Sequence, residues 1–260
     1  MKIVVSLNVV PDYEQVRMAP GATNLDVSTV PRVVYTFDEL ALEVALRLKD
    51  KDASNELVVV CLTPDAGKVK EVVKKALAMG ADRAVIVEEP AAAEADSWAQ
   101  AQILQAVVGK LGDVNLLTFG IPGIQGGAFP TGAEVGGLLG WPVVSYATQV
   151  TQSGDQLTVE RTTEKGTQHL EVGTPAVVTI GKFNEDPRLP TFKGIMGAKN
   201  KPMETWSLAD LGVSADQVAS RIKLEGYQAP PARGTTQKVE GEPADAAKAA
   251  VAALRGKQFV

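Results

Sequence analysis

The sequence predicts an α/β protein: a Rossmann-like, doubly wound, mostly parallel sheet with an antiparallel extension and a protruding C-terminal arm. Three observations predict it. Apolar runs alternate with segments of helical spacing through the first half of the chain, the pattern of strands covered on both faces by crossover helices. After Pro142 that alternation gives way to short strand-like runs with hairpin turns between them. Beyond Lys182 the periodicity is lost in a polar, proline-containing stretch.

The elements follow in order. Lys2–Val9 is a near-continuous apolar run and reads as the first strand. Asp38–Asp50 has helical spacing, with Leu40, Val44 and Leu48 on one stripe and Glu39, Glu43 and Arg47 on another, acid preceding base. Leu57–Cys61 is a strand, Lys68–Met79 a helix closed by Gly80, and Ala84–Val87 a short strand. Ser97–Leu111 is a helix ended by Gly112, and Val114–Phe119 a buried strand. A glycine-rich turn follows, and a helical pattern runs from Thr131 to near Leu139. Ser145–Val150, Gln156–Arg161, Gln168–Val172 and Ala176–Ile180 read as strands; Ser153-Gly154-Asp155 and Lys165-Gly166-Thr167 turn between the first three. The body is therefore expected over 1–182 and an irregular arm over 183–213. The extension over 214–260 reads as a short helix within Ser214–Glu225, a linker at Gln228–Pro243 and an alanine-rich helix at Ala244–Leu254. Ordering the arm backbone costs roughly 1–2 kcal/mol per residue, so it is expected to be ordered by lying against another protein.

Composition excludes several classes. The 260 residues are 45% hydrophobic and 22% charged with a net charge of −5, enough for a sizeable core. No basic stripe marks a nucleic-acid surface, and no apolar run is long enough to cross a bilayer. MKIVVSLNVV has no small-residue cleavage site and reads as a strand, not a signal peptide. The single cysteine, Cys61, allows no intrachain disulfide and fits a reducing, cytoplasmic setting. One His and one Cys leave no ligand set for a structural zinc.

Catalytic constellations are missing. His169 sits in an alternating strand and reads as a strand residue; Cys61 ends an apolar strand and reads as core. Acidic pairs Glu88-Glu89 and Glu185-Asp186 fall in loops. What remains is GIPGIQGGAFPTGAEVGGLLGWP, Gly120–Pro142, where a strand, a small-residue loop and a helix start bring backbone N–H groups together. Gly127–Gly132 has the spacing of a P-loop, but Ala133-Glu134 stand where Lys and Ser/Thr are required, which disfavours NTPase chemistry. The loop reads either as a nucleotide cradle or as a turn that lets a helix pack closely on the sheet.

At this point the chain resembles the β subunit of electron transfer flavoprotein, the family that includes nitrogen-fixation-associated β-type subunits, from Met1 to about Leu211. The most specific piece is ALAMGADR at Ala76–Arg83, and FDELALEVALRLK at Phe37–Lys49 is similar to another family segment. LLGWP at Leu138–Pro142, TPAVVT at Thr174–Thr179, FNEDPR at Phe183–Arg188 and GIMGAKNKP at Gly194–Pro202 follow in the family's order.

The resemblance implies a non-enzymatic electron carrier. Its β subunit pairs with an α subunit that carries the redox FAD, takes electrons from flavin dehydrogenases and passes them to a membrane quinone reductase or another acceptor. It implies an AMP in the β subunit, or a second FAD in electron-bifurcating members; a nucleotide-free scaffold is the alternative. A compact nucleotide-responsive regulator resembling universal stress proteins is a further rival, against which the arm speaks. Nucleotide contacts are expected from Ser6, Tyr35, Leu62, Gly126, Gly127, Phe129, Thr131 and Gly132. The chain departs from the family in its loop: Gln125, Gly126 and Gly127 replace an acidic cluster, Phe129-Pro130 replace an amide-bearing pair, and Tyr35 and Asn8 replace an Asn and a Lys. Those departures shift the expected contacts towards backbone donors. The arm is expected to dock on the dehydrogenase through Phe192 as an apolar anchor, surrounded by Arg188, Ile195 and Met196.

Overall fold

The computed structural model describes residues 1–18, 22–23, 25–93, 95–121, 130–181, 186–223, 225–229, 234, 238–239 and 241–259. They form two compact units, Met1–Arg17 with Asp26–Glu225, and Met18–Leu25 with Gly226–Val260. The larger unit runs β1 (Lys2–Ser6), β2 (Val9–Pro11), β3 (Arg32–Val34), α1 (Thr36–Lys51), β4 (Glu56–Thr63), α2 (Lys70–Met79), β5 (Arg83–Glu88), α3 (Ser97–Leu111) and β6 (Val114–Gly120). It continues α4 (Thr131–Leu139), β7 (Val143–Ser153), β8 (Gln156–Thr163), β9 (Gly166–Gly173), β10 (Ala176–Ile180), α5 (Phe192–Ala198), β11 (Met203–Trp206) and α6 (Leu208–Leu211).

The sheet has the order β11-β5-β4-β1-β6-β10-β7-β8-β9. Every neighbouring pair from β11 to β7 is parallel, and β8 and β9 extend the β7 edge antiparallel. The predicted mixed, doubly wound sheet is therefore the observed one. Alternation along the strands splits the core. Ile3, Val5, Val59 and Cys61 join Leu42, Leu46, Val73 and Leu77 of α1 and α2 on one face. Val4, Val58, Val60 and Phe119 join Ile103, Val107 and Val135 of α3 and α4 on the other. Each such aliphatic side chain, fully buried, contributes about 1.5–3 kcal/mol.

The turn within ALAMGADR ties strands together. Asp82 accepts the Leu57 N–H at 2.7 Å and pairs with Lys49. Arg83 reaches Glu56 at 3.1 Å and Glu204 of β11 at 3.3 Å. Gly80 and Gly112 close α2 and α3 with positive φ, as their placement predicted.

Two expectations need correction. The first apolar run is not one strand: β1 ends at Ser6, and Val9 begins a separate ribbon, β2 paired antiparallel with β3. The stretch expected to be irregular and held only by a partner is ordered against its own chain. From residue 186 it descends along α1 and packs on the end of α2 as α5, with Ala198 in the core. It then returns as β11, an edge strand parallel to β5. Thr191 caps α5 by accepting the Gly194 N–H at 3.0 Å. A Cβ on Gly194 would lie 2.1 Å from the Ala78 carbonyl oxygen, so only glycine allows this approach. Lys201 donates to the Leu77 and Ala81 carbonyls at 2.9 and 2.5 Å, taking up acceptors at the α2 terminus. Residues 183–185, part of the expected arm, lie outside the described residues.

In the smaller unit the Tyr227 N–H donates to the Thr23 carbonyl at 3.1 Å. The alanine-rich segment forms α7 (Pro243–Gly256), with no buried residue. No helix among the described residues is long and apolar enough to cross a membrane.

Candidate functional site

Connections leave β1 and β6 on opposite faces of the sheet. The chain after β1 leads to α1 on one side, and the chain after β6 leads to α4 on the other. The adjacent carboxyl ends of β1 and β6 are therefore the topological switch point, where open α/β sheets offer a crevice for ligands.

Side-chain alternation puts Ser6, two residues beyond Val4, and Leu62, two beyond Val60, on the α3/α4 face at these strand ends. Ser6 is buried and Leu62 half-buried. Thr131 and Gly132 open α4 on the same face, both buried. Pro130 gives α4 no side-chain cap, and the first intrahelical-type bond is Glu134 N–H to the Pro130 carbonyl at 2.9 Å. The N–H groups of the first α4 turn thus carry the positive end of the helix dipole. Gly132 has a packing reason too: a Cβ there would lie 2.9 Å from Thr179 Cγ2 and 3.0 Å from Phe119 Cδ2. At Gly136, one turn on, it would lie 2.2 Å from Val143 Cγ2. The glycines of α4 seat the helix on the sheet, as the packing reading of the stretch expects; residues 122–129, which carry most of the loop, lie outside the described residues.

Tyr35 lies at the N-cap position of α1, buried, with its ring 5.7 Å from that of Phe37. Its N–H donates to the Asn8 carbonyl at 2.8 Å. Gly126, Gly127 and Phe129 lie outside the described residues.

The residue that sequence reading missed is Asp38. It is 2% exposed. Its Oδ2 accepts the Asn8 N–H at 2.8 Å and the Asn8 side-chain amide at 2.9 Å; its Oδ1 accepts the Gly120 N–H at 2.9 Å. One carboxyl group therefore bridges the ends of β1 and β6 across the switch point. Burial raises its pKa to about 6, against the opposing effect of those hydrogen bonds. A Cβ on Gly120 would lie 2.5 Å from the Phe37 carbonyl carbon and 2.7 Å from Asp38 Oδ1, so the contact requires glycine. The available signal was an acid in the first turn of a helix; its partners, 30 and 82 residues away, left no local trace.

Burial pushes the Cys61 thiol up to about 12, leaving it protonated and inert. His169 sits on β9 with an exposed side chain, 3.4 Å from Glu160. No group of potential metal ligands forms among the described residues.

At the opposite end of the sheet lies a different surface. Arg188 is held inside the chain: its N–H and Nε donate to Glu43 Oε2 at 3.1 and 2.9 Å, and its Nη2 donates to Glu43 Oε1 at 3.0 Å and to Asp50 at 2.7 Å. Glu43, read from sequence as part of a charged stripe, is buried and also takes Arg47 at 2.9 Å. Burial alone would raise the Glu43 pKa, but the hydrogen bonds from Arg188 and Arg47 outweigh it and hold the carboxylate low. Beyond this clamp the apolar side chains point outward. Leu189 and Phe192 are each 81% exposed, Ile195 50% and Met196 51%.

Residues 24–211 match the family model described as electron transfer flavoprotein domain. The chain is 35% identical over 244 residues to the electron transfer flavoprotein subunit beta of Homo sapiens, covering 92% of this chain and 93% of that protein. It is 31% identical to the caffeyl-CoA reductase-Etf complex subunit CarD of Acetobacterium woodii, covering 93% and 92%. With the electron transfer flavoprotein subunit beta of Mycobacterium bovis it shares 33% identity, covering 83% and 82%.

Proposed function

The chain belongs to the electron transfer flavoprotein family, among its β subunits, and we propose that it works as the β half of a heterodimeric electron carrier whose α half binds the redox FAD. The observation that carries the reading is the match to β subunits over nearly the whole chain. In this reading the chain is a scaffold and not an enzyme by itself, in keeping with the inert thiol and the lone exposed histidine. It works in the cytoplasm, in keeping with a single buried, unpaired cysteine.

The switch-point crevice holds an AMP. Ser6, Leu62, Thr131 and Gly132 supply shape and backbone donors from β1, β4 and α4, and Tyr35 braces it from the start of α1. The uncapped start of α4 supports a phosphate there. The outward apolar set Phe192, Ile195 and Met196 docks on an electron-donating flavin dehydrogenase, with Phe192 as anchor. Arg188 serves this surface from inside, by fixing the pose of the segment. Electrons then pass to a membrane quinone reductase or another acceptor.

Purification from native cells under non-denaturing conditions tests the reading. The expected result is co-elution at 1:1 with a flavin-bearing chain that absorbs near 450 nm, roughly the range of bound oxidised flavin, with AMP in the acid extract. Elution of the chain alone and without flavin would contradict it. Two FAD per heterodimer would instead favour a bifurcating subunit.

A further inference from the structure

We propose that Asp38 is the positioning residue of the switch-point crevice: its carboxylate ties the chain leaving β1 to the chain leaving β6, and so sets the spacing of the two strand ends between which a nucleotide is held. The inference rests on the reading that this crevice takes AMP. Three observations carry it. The two N–H groups that Asp38 holds belong to Asn8, in the connection just after β1, and to Gly120, the last residue of β6, the two strands whose ends define the switch point. No other side chain among the described residues spans both of these N–H groups. The β6 end is brought so close that a Cβ on Gly120 would collide with the backbone of Phe37 and Asp38.

The glycine-rich stretch departs from the β6 end, immediately after the N–H that Asp38 holds. A carboxylate accepts such N–H groups with directional, charge-assisted bonds. An alanine leaves the two N–H groups without their acceptor, and the strand ends lose their fixed spacing. An asparagine keeps one acceptor oxygen but turns a donor towards the second N–H. The graded outcome separates positioning from mere stability.

The test uses the full chain purified with its flavin-bearing partner and stripped of nucleotide, with AMP as the probe, titrated calorimetrically. Asp38→Ala is expected to weaken AMP binding at least tenfold and Asp38→Asn to fall between it and the wild type. Val159→Ala, a core change on β8, serves as the control that lowers the unfolding midpoint but keeps the wild-type dissociation constant within about twofold. Wild-type affinity in Asp38→Ala overturns the proposal; if that variant does not fold, wild-type affinity in Asp38→Asn does so. An equal loss in Val159→Ala also overturns it, because instability alone would then explain the effect. A wild-type heterodimer that binds no AMP refutes the nucleotide reading itself and the inference with it.

Discussion

The two ends of the parallel sheet use carboxylates in opposite ways. At the carboxyl end Asp38 is buried with only N–H donors around it, so its charge is held by hydrogen bonds alone. At the amino-end side Glu43 is equally buried but faces the guanidinium groups of Arg188 and Arg47. The first arrangement joins two strand ends at a crevice. The second clamps a crossing segment so that its apolar side chains point away from the fold. A buried acid without a cation pays in desolvation, whereas one with two cations gains from ionisation. Position within the sheet thus separates an acid that joins two strand ends from one that clamps a crossing segment.

The largest expected effect sets the two acids against each other in pH. Asp38 has a folded pKa raised from 3.8 to about 6. Its contribution to stability is fully present below 3.8 and is lost as pH rises through about 6, an effect of about 3 kcal/mol. Glu43 is shifted down, so its contribution is present above the ordinary carboxylate value of 4.5 and lost as pH falls. Urea unfolding of wild type and Asp38→Asn between pH 4 and 7 checks the first: the difference between the two chains should grow in favour of the variant as pH rises. A difference that stays flat would break the contrast.

Next in size is Glu43→Gln. It leaves Arg188 with a weakened partner, and because that guanidinium is about one-third exposed the expected loss is about 2 kcal/mol, less than for a fully buried pair. Denaturant unfolding measures the loss, and limited proteolysis should cut the 186–202 segment faster. Gly194→Ala is expected to cost about 1–2 kcal/mol, since its Cβ must displace α5 from the Ala78 carbonyl; amide exchange should rise in α5 and leave β1 and β6 unchanged. Smallest on the fold is Phe192→Ala. An 81% exposed side chain should change stability by less than about 0.5 kcal/mol. Electron transfer from the donor dehydrogenase should nonetheless show a KM raised at least tenfold with kcat little changed.

How much was legible in the sequence follows the same divide. Strong periodicity made the central strands and α1 to α4 readable, because a two-face burial pattern repeats along each run. The antiparallel edge was readable from its turns. β11 was not: METW is four residues long, lies on an edge and follows Lys and Pro, so it carries no alternation. α5 was hidden because its capping Thr191 and its close contact at Gly194 have meaning only once α2 is in place. The two decisive carboxylates were both in view, Asp38 in a family segment and Glu43 in a charged stripe. Their roles depend on partners 82 and 145 residues away, and no local pattern encodes such a distance.

Native mass spectrometry of the undenatured complex, co-expressed with its α companion, is the most direct test of the claim that the carboxyl end is a nucleotide site in a flavin carrier. The expected mass is that of one copy of each chain with one FAD and one AMP. A heterodimer carrying FAD but no adenine nucleotide in the β half, or no heterodimer at all, would contradict it.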